Sequence, residues 1–254
     1  MIGRGGTALL YVYGVVPGSA ASEPGFESGI GGSPVAPVGR GPISALVSPV
    51  REDRVRPSRA NVTAHHAVVD AAHRVAPVLP VRFGTVMPDE AAVGDGLLAP
   101  NLDRYSEMLR DLDGKAEYRL KASYAEDVVL REVVERSPAV RRARAESART
   151  DRPANRDRMI RLGELVRNEL YRIKDADRRA IIEEVAERVT GLRELAERTE
   201  VVAVHAALLV ERGRARHMEE AVQSVAGRQA GRMTIELTGP MAPWDFVDID
   251  GDPA

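Results

Sequence analysis

The chain has 254 residues, of which 44% are hydrophobic and 29% are charged, so we expect one large domain or two small ones around an aliphatic core. The formal net charge of -2 lacks the cationic excess that drives binding to phosphate backbones, and the absence of cysteine excludes disulfides and thiolate chemistry. The longest apolar run, residues 201–210, is too short for a bilayer span of ~20 residues, and residues 1–17 lack a signal-peptide pattern, so no membrane association is expected.

Strands and helices alternate in the first half of the chain. The predicted order is strand 7–16, strand 43–50, helix 58–75, strand 78–86 and one or two helices within 89–112. Pro80 favours an edge position or a bulge for the third strand. Residues 19–41 are rich in Gly, Pro and Ser and predict a flexible loop. These elements predict an N-terminal α+β domain over residues 1–112.

The second half begins with a strict alternation of apolar and polar residues over 116–124, which predicts a strand with one buried face. The elements predicted after it are helix 125–136, a helical hairpin with arms 155–173 and 177–198, strand 201–210 (or two short strands), helix 214–226 and strand 233–238. This order suits a modified ferredoxin-like sheet with a helical-hairpin insertion, which we assign to residues 113–254. The predicted fold class is α+β with two domains.

The second arm of the hairpin carries apolar residues at alternating spacings of three and four, typical of a coiled-coil seam. They include Ile182, Val185, Val189 and Leu192. Most such stripes pack inside their own protein, but a partly open seam would bind a partner. These four residues are therefore the candidate partner-binding residues.

His66, Asp70 and His73 lie at positions i, i+4 and i+7 of the first predicted helix and could share one face. The two histidines would be ~10.5 Å apart along the axis, too far to bind one ion unaided. Ordinary polar residues on a helix face explain the pattern, so no metal is expected.

No constellation of residues in the chain matches a phosphate loop, a nucleophile elbow or a paired acid and base. The sequence therefore predicts a protein that is not an enzyme, with no cofactor and no small-molecule substrate.

Six segments, taken in order, resemble the gas vesicle protein L/F family. They are Leu10–Gly14, His65–Asp70, Val78–Val86, Gly114–Lys121, Leu208–Arg212 and Thr238–Val247. The residues that match the family's motifs are His65, Arg82, Phe83, Gly84, Thr85, Gly114, Lys115, Glu117, Gly239, Pro240 and Pro243. The most specific combination is the segment from Arg82 to Thr85 together with the closing Gly-Pro segment. The Arg/Ala-rich stretch 141–156 matches no family motif.

The resemblance implies an α+β protein of two domains, the second ferredoxin-like, that works in the cytoplasm or at the gas vesicle without catalysis. It implies an assembly factor that binds the small hydrophobic shell protein, limits its aggregation and supports vesicle nucleation and growth. The implied partners are the shell protein and other gas vesicle accessory proteins. The sequence does not separate the F type from the L type.

The alternative from another class is a ferredoxin-like nucleic-acid-binding or regulatory module. Acidic residues interleave the arginines between Arg131 and Arg172, and Phe83 is a lone aromatic, so no nucleic acid is expected. Two surfaces could receive the shell protein, namely the sheet edges and the helical seam, and the sequence does not rank them.

Overall fold

The computed structural model describes residues 9–20, 28–148, 155–197 and 199–249. Contacts between residues divide the chain into two compact units. The first comprises Met1–Glu117 and Pro240–Ala254, and the second comprises Tyr118–Gly239. Clustering thus assigns the last residues of the chain to the first unit. The division into domains at residues 112 and 113 stays a prediction.

The first unit is built on an antiparallel sheet with β1 at its centre. Its strands are β1 (Leu9–Pro17), β2 (Ala36–Arg40), β3 (Ile43–Val50), β4 (Leu79–Pro80) and β5 (Val86–Met87). The order is β2-β3-β1-β4, and β5 also pairs with β1. Every residue of β1 from Tyr11 to Val16 is buried, because neighbouring elements cover both faces of a central strand. The register with β3 shifts between Val12 and Gly14.

Two helices belong to this unit, α1 (Arg59–Val75) and α2 (Leu102–Leu112), and a π-helical turn (Ala92–Leu98) precedes α2. The Ser58 side chain caps α1 by accepting a hydrogen bond from the Asn61 backbone N–H at 3.2 Å. The buried face of α1, including Val68 and Val69, joins the main core with Leu46 of β3.

Two predictions for this unit are corrected by the structure. Residues 36–40 of the predicted loop 19–41 form β2, which pairs with β3. The composition argument missed this strand because backbone pairing stabilises it while most of its side chains stay exposed. Residues 21–27 of that loop lie outside the described part of the chain. The strand predicted at 78–86 is two short strands, β4 and β5, separated by a turn.

The other sheet has the order β7-β8-β6-β9. Its strands are β6 (Lys115–Tyr124), β7 (Gly191–Glu194), β8 (Val202–Glu211) and β9 (Met233–Met241). Helices α3 (Glu126–Arg136), α4 (Pro138–Ser147) and α5 (Asn155–Ala186) lie between β6 and β7 in the chain, and α6 (Ala215–Arg228) lies between β8 and β9. Within the described ranges, no helix combines the length and the apolar character that crossing a bilayer requires.

The helical hairpin predicted over residues 155–198 is wrong. Residues 155–186 form the single helix α5, and the chain then returns as β7. The interval between the predicted arms continues the helix because it contains no Gly or Pro, and Asp175 binds Arg178 and Arg179 across one turn. Beyond the helix, Thr190 donates its backbone N–H to the Leu209 carbonyl at 2.8 Å.

A buried ionic network joins the elements of the second unit. Arg232, just before β9, binds the two carboxylate oxygens of Glu132 at 2.7 and 3.2 Å and one oxygen of Asp177 at 2.6 Å. The same Asp177 oxygen accepts the Tyr124 hydroxyl at 2.6 Å, and the Arg232 guanidinium lies 5.4 Å from the centre of the Tyr124 ring. Burial opposes the charged form of Arg232, but the two carboxylates outweigh it and raise its pKa. The network therefore joins β6, α3, α5 and the start of β9.

Candidate functional site

The residues that carry the family resemblance converge on a cluster of aromatic rings in the first unit, which we call the ring cluster. Its members are Tyr11, Tyr13, His65, His66, Phe83 and Trp244. The His65 ring lies at the centre, with ring centroids at 5.6 Å for Tyr11, 5.6 Å for Phe83 and 5.5 Å for Trp244. β1, α1, the turn between β4 and β5 and the C-terminal segment each contribute, so four separate parts of the sequence meet at His65.

A chain of hydrogen bonds fixes the protonation of His65. The Gly84 backbone N–H donates to the Tyr11 hydroxyl oxygen at 3.0 Å. The Tyr11 hydroxyl lies 3.0 Å from His65 Nδ1. Because the hydroxyl has one proton and already accepts from Gly84, it donates to Nδ1, and neutral His65 carries its own proton on Nε2. Gly84 supplies this donor from a positive φ of 95°, a conformation that favours glycine.

Burial explains the titration behaviour of these groups. His65 has no exposed surface, and burial together with the neighbouring His66 lowers its pKa from 6.5 to about 4. Burial raises the pKa of Tyr11 to about 12. Both side chains are therefore neutral near pH 7, so the core of the first unit contains a neutral tyrosine–histidine pair.

Tyr13 makes a second buried junction. Its hydroxyl lies 2.6 Å from Ser48 Oγ on β3 and accepts the Ile30 backbone N–H at 2.7 Å. Burial raises the pKa of this tyrosine as well. The two β1 tyrosines thus point their hydroxyls at different parts of the unit, and each fixes a segment distant in sequence.

The C-terminal segment is held by hydrogen bonds to the first unit. Glu117 is fully buried, and one of its carboxylate oxygens accepts the Asp245 backbone N–H at 2.8 Å. The Arg104 side chain donates to the Asp248 carbonyl at 2.7 Å. These bonds hold the segment that places Trp244 against the histidines.

The remaining motif residues shape turns around these junctions. The Thr85 hydroxyl donates to the Arg82 carbonyl at 2.9 Å and closes the turn between β4 and β5, while the Arg82 side chain is exposed. Lys115 Nζ donates to the Asp111 carbonyl at 2.6 Å, across the turn at Gly114. Three more lie at or after the end of β9, namely Gly239, Pro240 and Pro243.

The four candidate partner-binding residues do not form one seam. Ile182 and Val185 lie on α5, Val189 follows the helix, and Leu192 lies on β7. Val185 has no exposed surface, so it belongs to the core. The coiled-coil interpretation was wrong because the chain changes from helix to strand inside the apparent repeat. A contact of these residues with a partner stays a prediction.

The histidines considered for a metal site are placed differently from one another. His66 is exposed and packs against Trp244 with ring centroids 4.5 Å apart, whereas His73 is buried. Across the described residues, no group of three or more His, Asp or Glu side chains is arranged to hold an ion. The chemistry of the ring cluster is that of a folded core, because the polar atoms of Tyr11, Tyr13 and His65 lie beneath the surface.

Comparison with known proteins identifies the family. The sequence matches the family described as gas vesicle synthesis protein GvpL/GvpF over residues 9–248. It is 34% identical to gas vesicle protein F of Streptomyces sp. (strain CB03234) over 241 residues, covering 94% of this chain and 99% of that protein. It is 29% identical to gas vesicle protein L of the same strain over 262 residues, covering 95% and 93%.

The fold is also shared with solved structures. The crystal structure of GvpF from Anabaena sp. PCC7120 superimposes with a TM-score of 0.84 at 21% identity, covering 95% of this chain and 99% of the other. GvpF from Microcystis aeruginosa superimposes with a TM-score of 0.78 at 22% identity, covering 94% and 99%. The chain therefore belongs to the GvpL/GvpF family of gas vesicle proteins, as its motif residues suggested, and it has a gas vesicle accessory role.

Proposed function

We propose that this protein is a gas vesicle assembly factor that binds the small hydrophobic shell protein, limits its aggregation and supports vesicle nucleation and growth. It works with other gas vesicle accessory proteins, in the cytoplasm and at the vesicle. The observation that carries the proposal is the family match, which spans both compact units of the chain. A protein alike over its whole length has the surfaces needed for the family's work.

The proposal includes a finer description of the fold. We infer two domains, the second of which is ferredoxin-like with a helical insertion. The chain order β6, helices, β7, β8, α6, β9 and the sheet order β7-β8-β6-β9 support this inference. The insertion consists of α4 and the first part of α5, and these two helices pack against each other.

The protein acts by binding and not by turnover. The titratable groups of the ring cluster are buried and neutral near pH 7, which suits a scaffold better than proton transfer to a substrate. Assembly therefore needs neither nucleotide nor a bound cofactor. Apolar contact and backbone pairing are weakly screened by salt compared with exposed charge pairs, so binding should survive moderate ionic strength.

Light scattering with purified shell protein tests the proposal. The shell protein is diluted from denaturant into buffer with this protein, with an unrelated protein of similar size, or alone, at low and at moderate salt. We expect only this protein to lower the scattering, in proportion to its concentration and without nucleotide. Equal scattering with both proteins at every salt concentration would refute the proposal.

The same preparation addresses nucleic-acid binding. Fluorescently labelled single-stranded and double-stranded oligonucleotides are titrated with the protein at low salt, where phosphate contacts are strongest. We expect no change in anisotropy. Binding to oligonucleotides together with no effect on the shell protein would favour the nucleic-acid module instead.

A further inference from the structure

Strand β9 forms one edge of the second sheet. It pairs with β6 on one side and ends the strand order on the other. Thr234, Glu236 and Thr238 are exposed, whereas Ile235 and Leu237 are half-buried. Pro240 lies within the strand, and proline in a sheet is confined to edges and bulges because it has no N–H. An edge strand presents backbone donors and acceptors that can pair with another chain.

A groove runs between β9 and α6 on one face of the sheet. It has a volume of about 290 Å³. It is lined by Tyr118, Glu219, Val222, Gln223, Ala226, Ile235, Leu237 and Gly239. Helix α6 contacts β8 and buries Met218 and Val225, but it leaves Ile235 and Leu237 partly uncovered. The groove is therefore the part of the sheet face nearest the edge that the helix does not fill, and it suits one medium-sized apolar side chain.

The charges around the groove favour a basic partner. Glu236 is exposed on the other face of β9, because successive residues of a strand point to opposite faces. Glu219 lies on the wall of the groove and is hydrogen-bonded to the Tyr118 hydroxyl. The sequence of β9 contains no Lys or Arg. An added strand would therefore meet carboxylates on both faces and no opposing cation on β9.

The same charges disfavour pairing with a second copy of this chain. An antiparallel β9–β9 pair centred on Glu236 would place the two Glu236 carboxylates directly opposite each other. Like charges at directly opposed positions destabilise a strand pair. An exposed charge on an edge strand is a common protection against self-pairing.

We propose that β9 and α6 form a strand-addition site for an extended segment in which apolar and basic residues alternate. The segment continues the sheet beyond β9, places an apolar side chain in the groove, and turns a Lys or Arg towards Glu236. This inference rests on the proposed function, since it assigns the segment to the shell protein or to a partner that delivers it. It makes the edge of the second sheet the recognition surface.

Two variants of the groove test the proposal against a matched control. Glu236→Lys reverses the exposed charge, and Ala226→Phe fills the groove. Glu183→Lys on α5 makes the same charge change at an exposed position away from β9. Circular dichroism melts establish that each variant is folded before binding to purified shell protein is measured by biolayer interferometry.

We expect Glu236→Lys and Ala226→Phe each to weaken binding by about five- to tenfold, because each removes one cross-strand or groove contact. Glu183→Lys should bind as the wild type does. If the wild type binds the shell protein and neither groove variant changes the affinity, the strand-addition site is refuted while the proposed function stands. If the wild type does not bind, the proposed function itself fails.

Synthetic peptides identify the chemistry of the segment. Peptides of about nine residues, a common strand length, alternate Val with Lys or Val with Glu. We expect the Val/Lys peptide to compete with the shell protein for the wild type, and the Val/Glu peptide to compete only for Glu236→Lys. Equal competition by both peptides would contradict the assigned charge. Concentration-dependent self-association of the wild type in sedimentation velocity, lost in Ala226→Phe, would assign the edge to a second copy instead.

Discussion

Mild acidification should destabilise the first unit through His65. The folded chain holds this histidine neutral with a pKa of about 4, against 6.5 for an ordinary histidine. Because the folded-state pKa lies below the unfolded value, the unfolded chain binds the proton more tightly, and stability falls as the pH drops below about 6.5. Each pKa unit corresponds to about 1.4 kcal/mol, so complete protonation costs about 3 kcal/mol.

Most of this loss lies above the range where carboxylates titrate. Between about pH 7.5 and about pH 5.5 the His65 contribution to the free energy of unfolding should decrease by about 1.3 kcal/mol. Below that range, carboxylates add their own protonation. The measurement is therefore made at these two pH values, where His65 can be separated from the acidic residues by substitution.

The assay uses the single tryptophan of the chain. Trp244 belongs to the ring cluster, so its fluorescence during urea unfolding reports on the first unit. His65→Asn keeps an acceptor for the Tyr11 hydroxyl but cannot titrate. The variant should be less stable than the wild type at both pH values, and its own loss between them should be smaller by about 1.3 kcal/mol. An equal loss in both proteins would show that His65 is not the titrating group and would refute the reasoning.

Three substitutions test other parts of the structure by urea unfolding. Arg232→Met leaves two largely buried carboxylates without their shared cation and should destabilise the second unit by about 3 kcal/mol, as followed by circular dichroism; no loss would show that the network is not held in solution. Gly29→Ala would place a methyl group 2.1 Å from the Tyr13 hydroxyl and should cost about 1–3 kcal/mol, and an unchanged midpoint would contradict this packing. Gly163→Ala within α5 meets no atom within 4 Å and should instead stabilise by about 0.5–1 kcal/mol; a loss of stability would argue against a continuous helix.

The sequence predicted those elements whose signal is local. The alternation over residues 116–124 is confirmed by β6, in which Leu120 and Ala122 are buried while Lys121 is half-buried. The first predicted helix is confirmed by α1, with its cap at Ser58 and its end before Pro77. In each case, the periodicity and the end signals lie within a few residues of the element itself.

The errors arose where a distant partner decides the structure. Leu192 continues an apolar spacing that starts inside α5, but it pairs with Leu208 of β8 in an antiparallel ladder. Strand β2 is mostly exposed and depends on its pairing with β3, which composition does not reveal. Helical periodicity cannot signal a hydrogen bond to a strand that follows later in the chain.

The ring cluster could be predicted only in part, for the same reason. The resemblance selected His65, Phe83 and Gly84, but it did not indicate that they meet at Tyr11. The Tyr11–His65 hydrogen bond joins residues 54 apart in sequence, and the Gly84 bond spans 73. Contacts at such separations follow from how strands and helices pack, which no local pattern contains.

The motif residues and the proposed recognition surface have different physical roles, and this difference can be measured. Most of the motif residues lie in the first unit, where His65 and Glu117 are fully buried, so substituting them should reduce binding through lost stability. Glu236 is exposed in the second unit, so its substitution should reduce binding with the unfolding midpoint unchanged. Plotting the loss of shell-protein binding against the loss of stability should therefore separate the two sets. If the motif variants stayed fully stable and still lost binding, the ring cluster would itself be the recognition site, and β9 would not.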